Sequence, residues 1–105
     1  MYYVYVLRCS DNSLYTGITN DFERRFDEHK NKSPKGAKYT RSHDVVSLAG
    51  LWQTDCKVDA SKLEFHFKRL HKIKKEELLC EPEKIGSFLG EKIGTNKFIW
   101  IKDSV

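Results

Sequence analysis

The chain has 105 residues, of which 39% are apolar and 12% aromatic, and its 19 Lys and Arg outnumber its 15 Asp and Glu to give a net charge of +4. A chain of this length supports one hydrophobic core rather than two, and its aromatic content argues against disorder. No apolar run approaches the roughly 20 residues of a membrane span, and the N-terminus lacks the features of a signal peptide, so we expect a single cytoplasmic domain with no membrane partner.

The first residues predict a β-hairpin. Residues 2–9 alternate between two faces and consist almost entirely of strand-forming side chains, which indicates a well-buried strand. A turn cluster at residues 10–13 precedes a second run of strand composition at 14–18, which Gly17 would close.

A helix is expected next, over residues 21–30. Asn20 and Glu23 have the spacing of a capping box at its start. Phe22 and Phe26 are four residues apart, so they should stack on the side that faces the core.

The rest of the chain predicts one more strand and one long helix. The strand covers residues 45–54, with Gly50 as a candidate bulge. The helix covers residues 60–79, with Asp59 as its cap. Residues 98–101 are apolar on both faces and fit a last short strand or an apolar tail equally well.

This order of elements, β-β-α-β-α, predicts an α+β fold with a mostly antiparallel sheet covered by helices. We place the domain at residues 1–80 and treat residues 81–105 as a C-terminal extension packed on it. The positive charge is concentrated in residues 30–41 and 62–75. Both stretches suit binding to a phosphate backbone, although a solvated loop and helix surface would explain them as well.

Within this frame the chain resembles the GIY-YIG nuclease superfamily, in particular its small stand-alone bacterial members. The signature elements are Tyr-Val-Tyr at residues 3–5 and Tyr-Thr-Gly at residues 15–17, followed on the first helix by Arg25 and His29. The segments GAKYTR at 36–41 and ASKLEFHFKRL at 60–70 look like further signatures. Together the elements cover residues 2–79, in order and at matching spacing.

The resemblance implies a three-stranded antiparallel sheet flanked by helices, and hydrolysis of phosphodiester bonds with one divalent ion, Mg²⁺ or Mn²⁺. Glu64 falls where the family keeps its metal-binding glutamate, and Mg²⁺ commonly takes only one or two carboxylates. Arg25 would grip the non-bridging phosphate oxygens. Tyr5 is the leading candidate for the general base with Tyr15 in support, or the roles are reversed. His29 would orient water or relay a proton, or it is simply a helix histidine bonded to a neighbour.

A nucleic acid, DNA rather than RNA, is the expected partner, in repair or recombination, through structure-selective or non-specific cleavage. Gly17 would let a helix or phosphate approach the backbone closely. Lys38, Tyr39 and Arg41 would hold a strand or an extruded base, or they form an ordinary loop surface.

One departure from the family pattern concerns activity. Ile18 stands where many active family members carry a lysine. A non-catalytic nucleic-acid-binding module on the same fold is therefore the alternative, and a structural or interaction protein is a third reading. If the chain is a nuclease, Tyr5, Tyr15, Arg25 and Glu64 should converge on one shallow basic cleft.

Overall fold

An antiparallel sheet of four strands forms the centre of the molecule in a computed structural model that describes residues 1–32 and 43–104. The strand order is β2-β1-β3-β4, so the N-terminal strand lies in the interior of the sheet. The strands are β1 (Tyr2–Cys9), β2 (Leu14–Thr19), β3 (Val45–Thr54) and β4 (Ile99–Trp100).

The predicted α+β class and antiparallel sheet are confirmed, with one strand more than expected. β4 has two residues and pairs with Trp52 and Gln53 of β3, which resolves the choice between strand and tail. β2 does not close at Gly17 but continues to Thr19. The irregularity expected at Gly50 lies beside it, because Val6 pairs with Gly50 while Leu7 pairs with Leu48.

Within the described residues, four α-helices accompany the sheet, together with short 3₁₀ turns at Pro82–Lys84, Thr95–Lys97 and Lys102–Ser104. The helices are α1 (Phe22–Lys30), α2 (Lys57–Lys68), α3 (Lys72–Cys80) and α4 (Ile85–Leu89). Of the described residues, none belong to a helix with the length and apolar character needed to cross a membrane.

The single helix predicted over residues 60–79 is wrong. The chain breaks into α2 and α3 around Arg69, and His71 is extended with φ −65° and ψ 156°. The change of direction leaves Ile73 80% exposed and buries Leu78 instead. The apolar spacing of α2 does not continue through Ile73, because the core residues of α3 come later in the chain.

Both predicted helix caps are also wrong. α1 is capped by Asp21 rather than Asn20, and the Asp21 carboxylate accepts a hydrogen bond from the Arg24 amide at 3.3 Å. α2 begins after Cys56, so Asp59 lies inside its first turn.

The sheet has two apolar faces, and different elements pack on each. Val4 and Val6 of β1 point to the face covered by α2, α3 and α4. Tyr5 and Leu7 point to the other face, with Phe22 of α1. Residues beyond position 80 pack on the first face, where Leu89 and Ile93 are buried.

Candidate active site

Tyr5 occupies the middle of an interior strand, and only 1% of its surface is exposed. It is paired with Gly17 of the edge strand β2, and its ring lies against that glycine. A Cβ atom at residue 17 would lie 2.5 Å from the Tyr5 hydroxyl oxygen and 2.7 Å from Cζ. Glycine is therefore required at this position by the approach of the Tyr5 ring, whereas the sequence suggested a helix or a phosphate.

His29 is hydrogen-bonded to the Tyr5 hydroxyl. The distance from Tyr5 Oη to His29 Nε2 is 2.9 Å, and the histidine is completely buried. Burial, assisted by the positive charge of Arg25, lowers the pKa of His29 to about 4, so its imidazole is neutral at pH 7. Its ring lies 5.5 Å from the Tyr5 ring and 5.3 Å from the Tyr15 ring, between centroids, and thus joins the two tyrosines.

Arg25 connects the tyrosine to the surface of α1. Its guanidinium donates to the Tyr5 oxygen, and its Nη1 lies 3.1 Å from a Glu28 carboxylate oxygen. With Arg25 donating to that oxygen, the Tyr5 O–H can donate to His29 Nε2 in the tautomer that leaves this nitrogen unprotonated. About a quarter of the Arg25 side chain, 26%, is exposed.

Burial raises the pKa of Tyr5 to about 12. The hydrogen bond from Arg25 opposes this rise, whereas the nearby Tyr15 and Glu64 add to it by electrostatic repulsion. Tyr5 is therefore a phenol, not a phenolate, at neutral pH in this state.

Glu64 approaches from the other side of the sheet. α2 packs on the face opposite the Tyr5 ring, yet the Glu64 carboxylate is close enough to act on the pKa of Tyr5. The two faces meet at the edge strand β2, against which α2 packs and over which the Tyr5 ring lies. The structure thus groups Tyr5, Tyr15, Arg25 and His29 on one face. Glu64, expected in the same cleft, belongs to α2 on the other face and acts on Tyr5 electrostatically.

The donor chemistry at Glu64 fits Mg²⁺. The Glu64 side chain is 24% exposed and one of its oxygens lies 3.2 Å from Lys68 Nζ. In residues 1–32 and 43–104, no three His, Cys, Asp or Glu side chains form a ready-made metal site. A single partly exposed carboxylate suits Mg²⁺, which fills its other positions with water and phosphate oxygens, whereas it would not suit zinc.

Four other residues were singled out from the sequence. Lys38, Tyr39 and Arg41 lie outside the described residues. Ile18 is half-buried and packs on the face covered by α2.

Two residues of the cluster were not predicted as part of it. Glu28 pairs with Arg25 three positions earlier on α1, a helical spacing that the sequence could have revealed. Phe22 was expected only to stack on Phe26, at 5.5 Å between ring centroids, and it also contacts the Tyr5 ring at 6.3 Å.

Comparisons with known proteins place this cluster inside a known domain. The model of the GIY-YIG catalytic domain matches residues 1–77. UPF0213 protein FN1575 of Fusobacterium nucleatum is 44% identical over 82 residues, covering 78% of this chain and 80% of the relative. UPF0213 protein H16_B0156 of Cupriavidus necator is 47% identical over 74 residues, covering 70% and 78%. The solution NMR structure of UPF0213 protein BH0048 from Bacillus halodurans shares 42% identity over 76% of this chain and 84% of the other, with a TM-score of 0.46.

Proposed function

The chain belongs to the GIY-YIG family, whose domain has a nuclease-type fold, and we propose that it is a nuclease that hydrolyses phosphodiester bonds in DNA with the help of Mg²⁺ or Mn²⁺. The observation that carries the proposal is the shared environment of Tyr5. A phenol, a neutral imidazole, a guanidinium and a carboxylate act on one another there. Groups of these kinds can supply the proton transfer and the charge stabilisation that phosphodiester hydrolysis needs.

Hydrolysis needs a water molecule that loses a proton as it attacks phosphorus. The Tyr5 hydroxyl is buried and bonded to His29 and Arg25, which leaves it poorly placed to meet that water. Transfer of its proton to His29 is also unfavourable, because the pKa of Tyr5, about 12, lies far above that of His29, about 4.

Tyr15 is the more accessible tyrosine, half-buried on the edge strand beside His29. We therefore assign the contact with water and phosphate to Tyr15. Tyr5 is a positioning residue that holds His29 and Arg25 in place. This selects the reverse of the two assignments that the sequence left open.

Arg25 and Glu64 would handle the charge of the substrate. The exposed part of the Arg25 guanidinium donates to non-bridging phosphate oxygens, where negative charge increases in the transition state. Glu64 would hold the divalent ion after releasing Lys68. The bound ion supplies positive charge for the phosphate and for a tyrosine oxygen that loses its proton.

One observation favours the alternative of a binding module without useful cleavage. At position 18 the side chain is an isoleucine that packs on the apolar face under α2, so it supplies no cation near the cluster. The module would bind DNA through its basic side chains and leave it intact.

The test is cleavage of supercoiled plasmid, branched DNA and single-stranded RNA by the purified protein in Mg²⁺, in Mn²⁺ and in EDTA. We expect metal-dependent cleavage of DNA that Glu64→Gln removes. Glu83→Gln, the same change at an exposed glutamate in the 3₁₀ turn after α3, should leave it in large part. Salt-sensitive binding without cleavage in any metal would support the module instead. Cleavage that persists in Glu64→Gln would place the chemistry elsewhere.

A further inference from the structure

The outer face of α2 exposes two large apolar side chains. Phe65 is 55% exposed and Val58 is 63% exposed. The core side of the same helix is filled by Ala60, Leu63 and Phe67, so folding does not require an aromatic residue at position 65. Phe65 and Val58 line one shallow surface cavity together with Ser61 and Lys62.

The charges that surround these apolar side chains are positive. Lys57 and Lys62 line the same cavity, and Arg69 follows one turn after Phe65. Within the described part of the chain, none of these three cations takes part in an ion pair. We call Lys57, Val58, Lys62, Phe65 and Arg69 the α2 outer strip.

The two acidic residues of α2 do not neutralise this strip. Asp59 lies 3.6 Å from Lys97 Nζ, and its side chain is only 16% exposed. Glu64 pairs with Lys68 at 3.2 Å, and its carboxylate also acts electrostatically on Tyr5. The exposed surface of the strip therefore presents uncompensated positive charge, which is complementary to a polyanion.

The Phe65 ring is held in a defined orientation. The Arg69 guanidinium carbon lies 5.3 Å from the ring centroid, within the range of a cation–π contact. The His66 ring meets it edge-on, at 5.1 Å and 86°. An exposed aromatic ring among cations is the combination that binds a single strand, because bases stack on the ring while phosphates meet the cations.

We propose that the α2 outer strip binds a single-stranded segment of nucleic acid, with a base stacked on Phe65 and phosphates at Lys57 and Lys62. As an extension of the proposed function, the same strand passes from the strip to a scissile phosphate at Glu64, the neighbouring position on the helix. The substrate is then DNA with an unpaired segment next to the cleaved bond. The binding itself requires neither the metal nor the reaction.

The test is fluorescence anisotropy in EDTA with a labelled single-stranded oligonucleotide and a duplex of the same length, across a series of salt concentrations. Phe65→Ala removes the stacking surface, and Phe65→Leu keeps an apolar side chain without a ring. Lys62→Ala removes one cation. Ile99→Ala is the matched control, because Ile99 is an exposed apolar residue, 60% exposed, on β4.

We expect both Phe65 variants to weaken binding of the single strand by roughly 5- to 100-fold, with little effect on the duplex and no change in salt dependence. Lys62→Ala should instead lower the slope of log affinity against log salt by about 0.7. Ile99→Ala should behave as the wild type. Circular dichroism and thermal unfolding establish that each variant is folded.

Equal affinities of wild type and both Phe65 variants for the single strand would overturn the proposal, as would an equal loss on the duplex. A wild-type dimer that Phe65→Ala dissociates in sedimentation equilibrium would overturn it too, because the strip would then be an interface between copies. These outcomes are independent of cleavage. If the strip binds but no substrate is cut, only the nuclease assignment fails.

Discussion

Gly17→Ala tests the packing on which the whole cluster depends. The added Cβ would lie 2.5 Å from the Tyr5 hydroxyl oxygen, whereas an ordinary contact begins at 3.4 Å. The hydroxyl must therefore move by about 0.9 Å, the difference between these distances. The Tyr5 ring is buried between Phe22 and His29, so little room exists for that movement.

Two effects should follow from this displacement. Overpacking of a buried site costs about 1–3 kcal/mol, partly offset by the lower backbone entropy of an unfolded chain with alanine. We expect a net loss of about 1–2 kcal/mol, or a melting temperature about 5 to 15 °C lower. Displacement away from His29 would also stretch the 2.9 Å hydrogen bond beyond its normal range, and any cleavage activity should fall with it.

Thermal unfolding followed by circular dichroism measures the first effect, and the chain offers a matched control. A Cβ on Gly86 would have no heavy atom within 4 Å, so Gly86→Ala should be neutral or slightly stabilising. Tyr5→Phe removes the nearest atom, so the double variant Gly17→Ala/Tyr5→Phe should be more stable than the sum of the single changes predicts. Equal melting temperatures for Gly17→Ala and Gly86→Ala would refute the reasoning.

Three further predictions concern ionisable side chains. The pKa of His29 is about 4 in the folded protein and about 6.5 in the unfolded chain, so about 3 kcal/mol of folding stability is lost as the pH falls from about 6.5 to 4. In urea unfolding, the stability of His29→Gln should lack this part of the pH dependence. The same dependence of stability on pH in wild type and variant would contradict the assignment. Lys68→Met frees the Glu64 carboxylate, so the Mg²⁺ concentration for half-maximal cleavage should decrease, and an increase would mean that Lys68 assists metal or substrate binding. Glu76→Gln disrupts the two hydrogen bonds from Arg8 to the Glu76 carboxylate, at 2.7 and 2.8 Å. It should lower the free energy of unfolding by about 1 kcal/mol in low salt and by less in high salt. A loss of stability that does not change with salt would argue against an electrostatic origin.

Local patterns predicted the N-terminal part of the fold well. The alternation in residues 2–9 assigned Tyr5 and Val6 to opposite faces, and the structure confirms it. The stacked pair Phe22 and Phe26 also followed from helical spacing. In both cases neighbours in the chain determine the contact, so the sequence contains the needed information.

The predictions were wrong where contacts between residues that are distant in the chain determine the structure. The break between α2 and α3 is stabilised by burial of Leu78 against the sheet, which no spacing within residues 60–73 reveals. The close approach of Tyr5 to Gly17 depends on strand pairing, so the sequence indicated only that glycine was needed there. Burial of Tyr5 is likewise a tertiary property, and it changed the proposed roles of the two tyrosines.

The central claim is most directly tested by single-turnover cleavage of a fluorescent branched DNA at saturating Mg²⁺ by the wild type, Tyr15→Phe and Tyr5→Phe. If Tyr15 meets the attacking water, Tyr15→Phe should reduce the rate by about 100-fold or more, as expected when a general base is lost. Tyr5→Phe should reduce it less, because it removes only the hydroxyl that positions His29 and Arg25 and leaves Tyr15 in contact with the water. A wild-type rate in Tyr15→Phe, or no cleavage by the wild type in any divalent metal, would contradict the account.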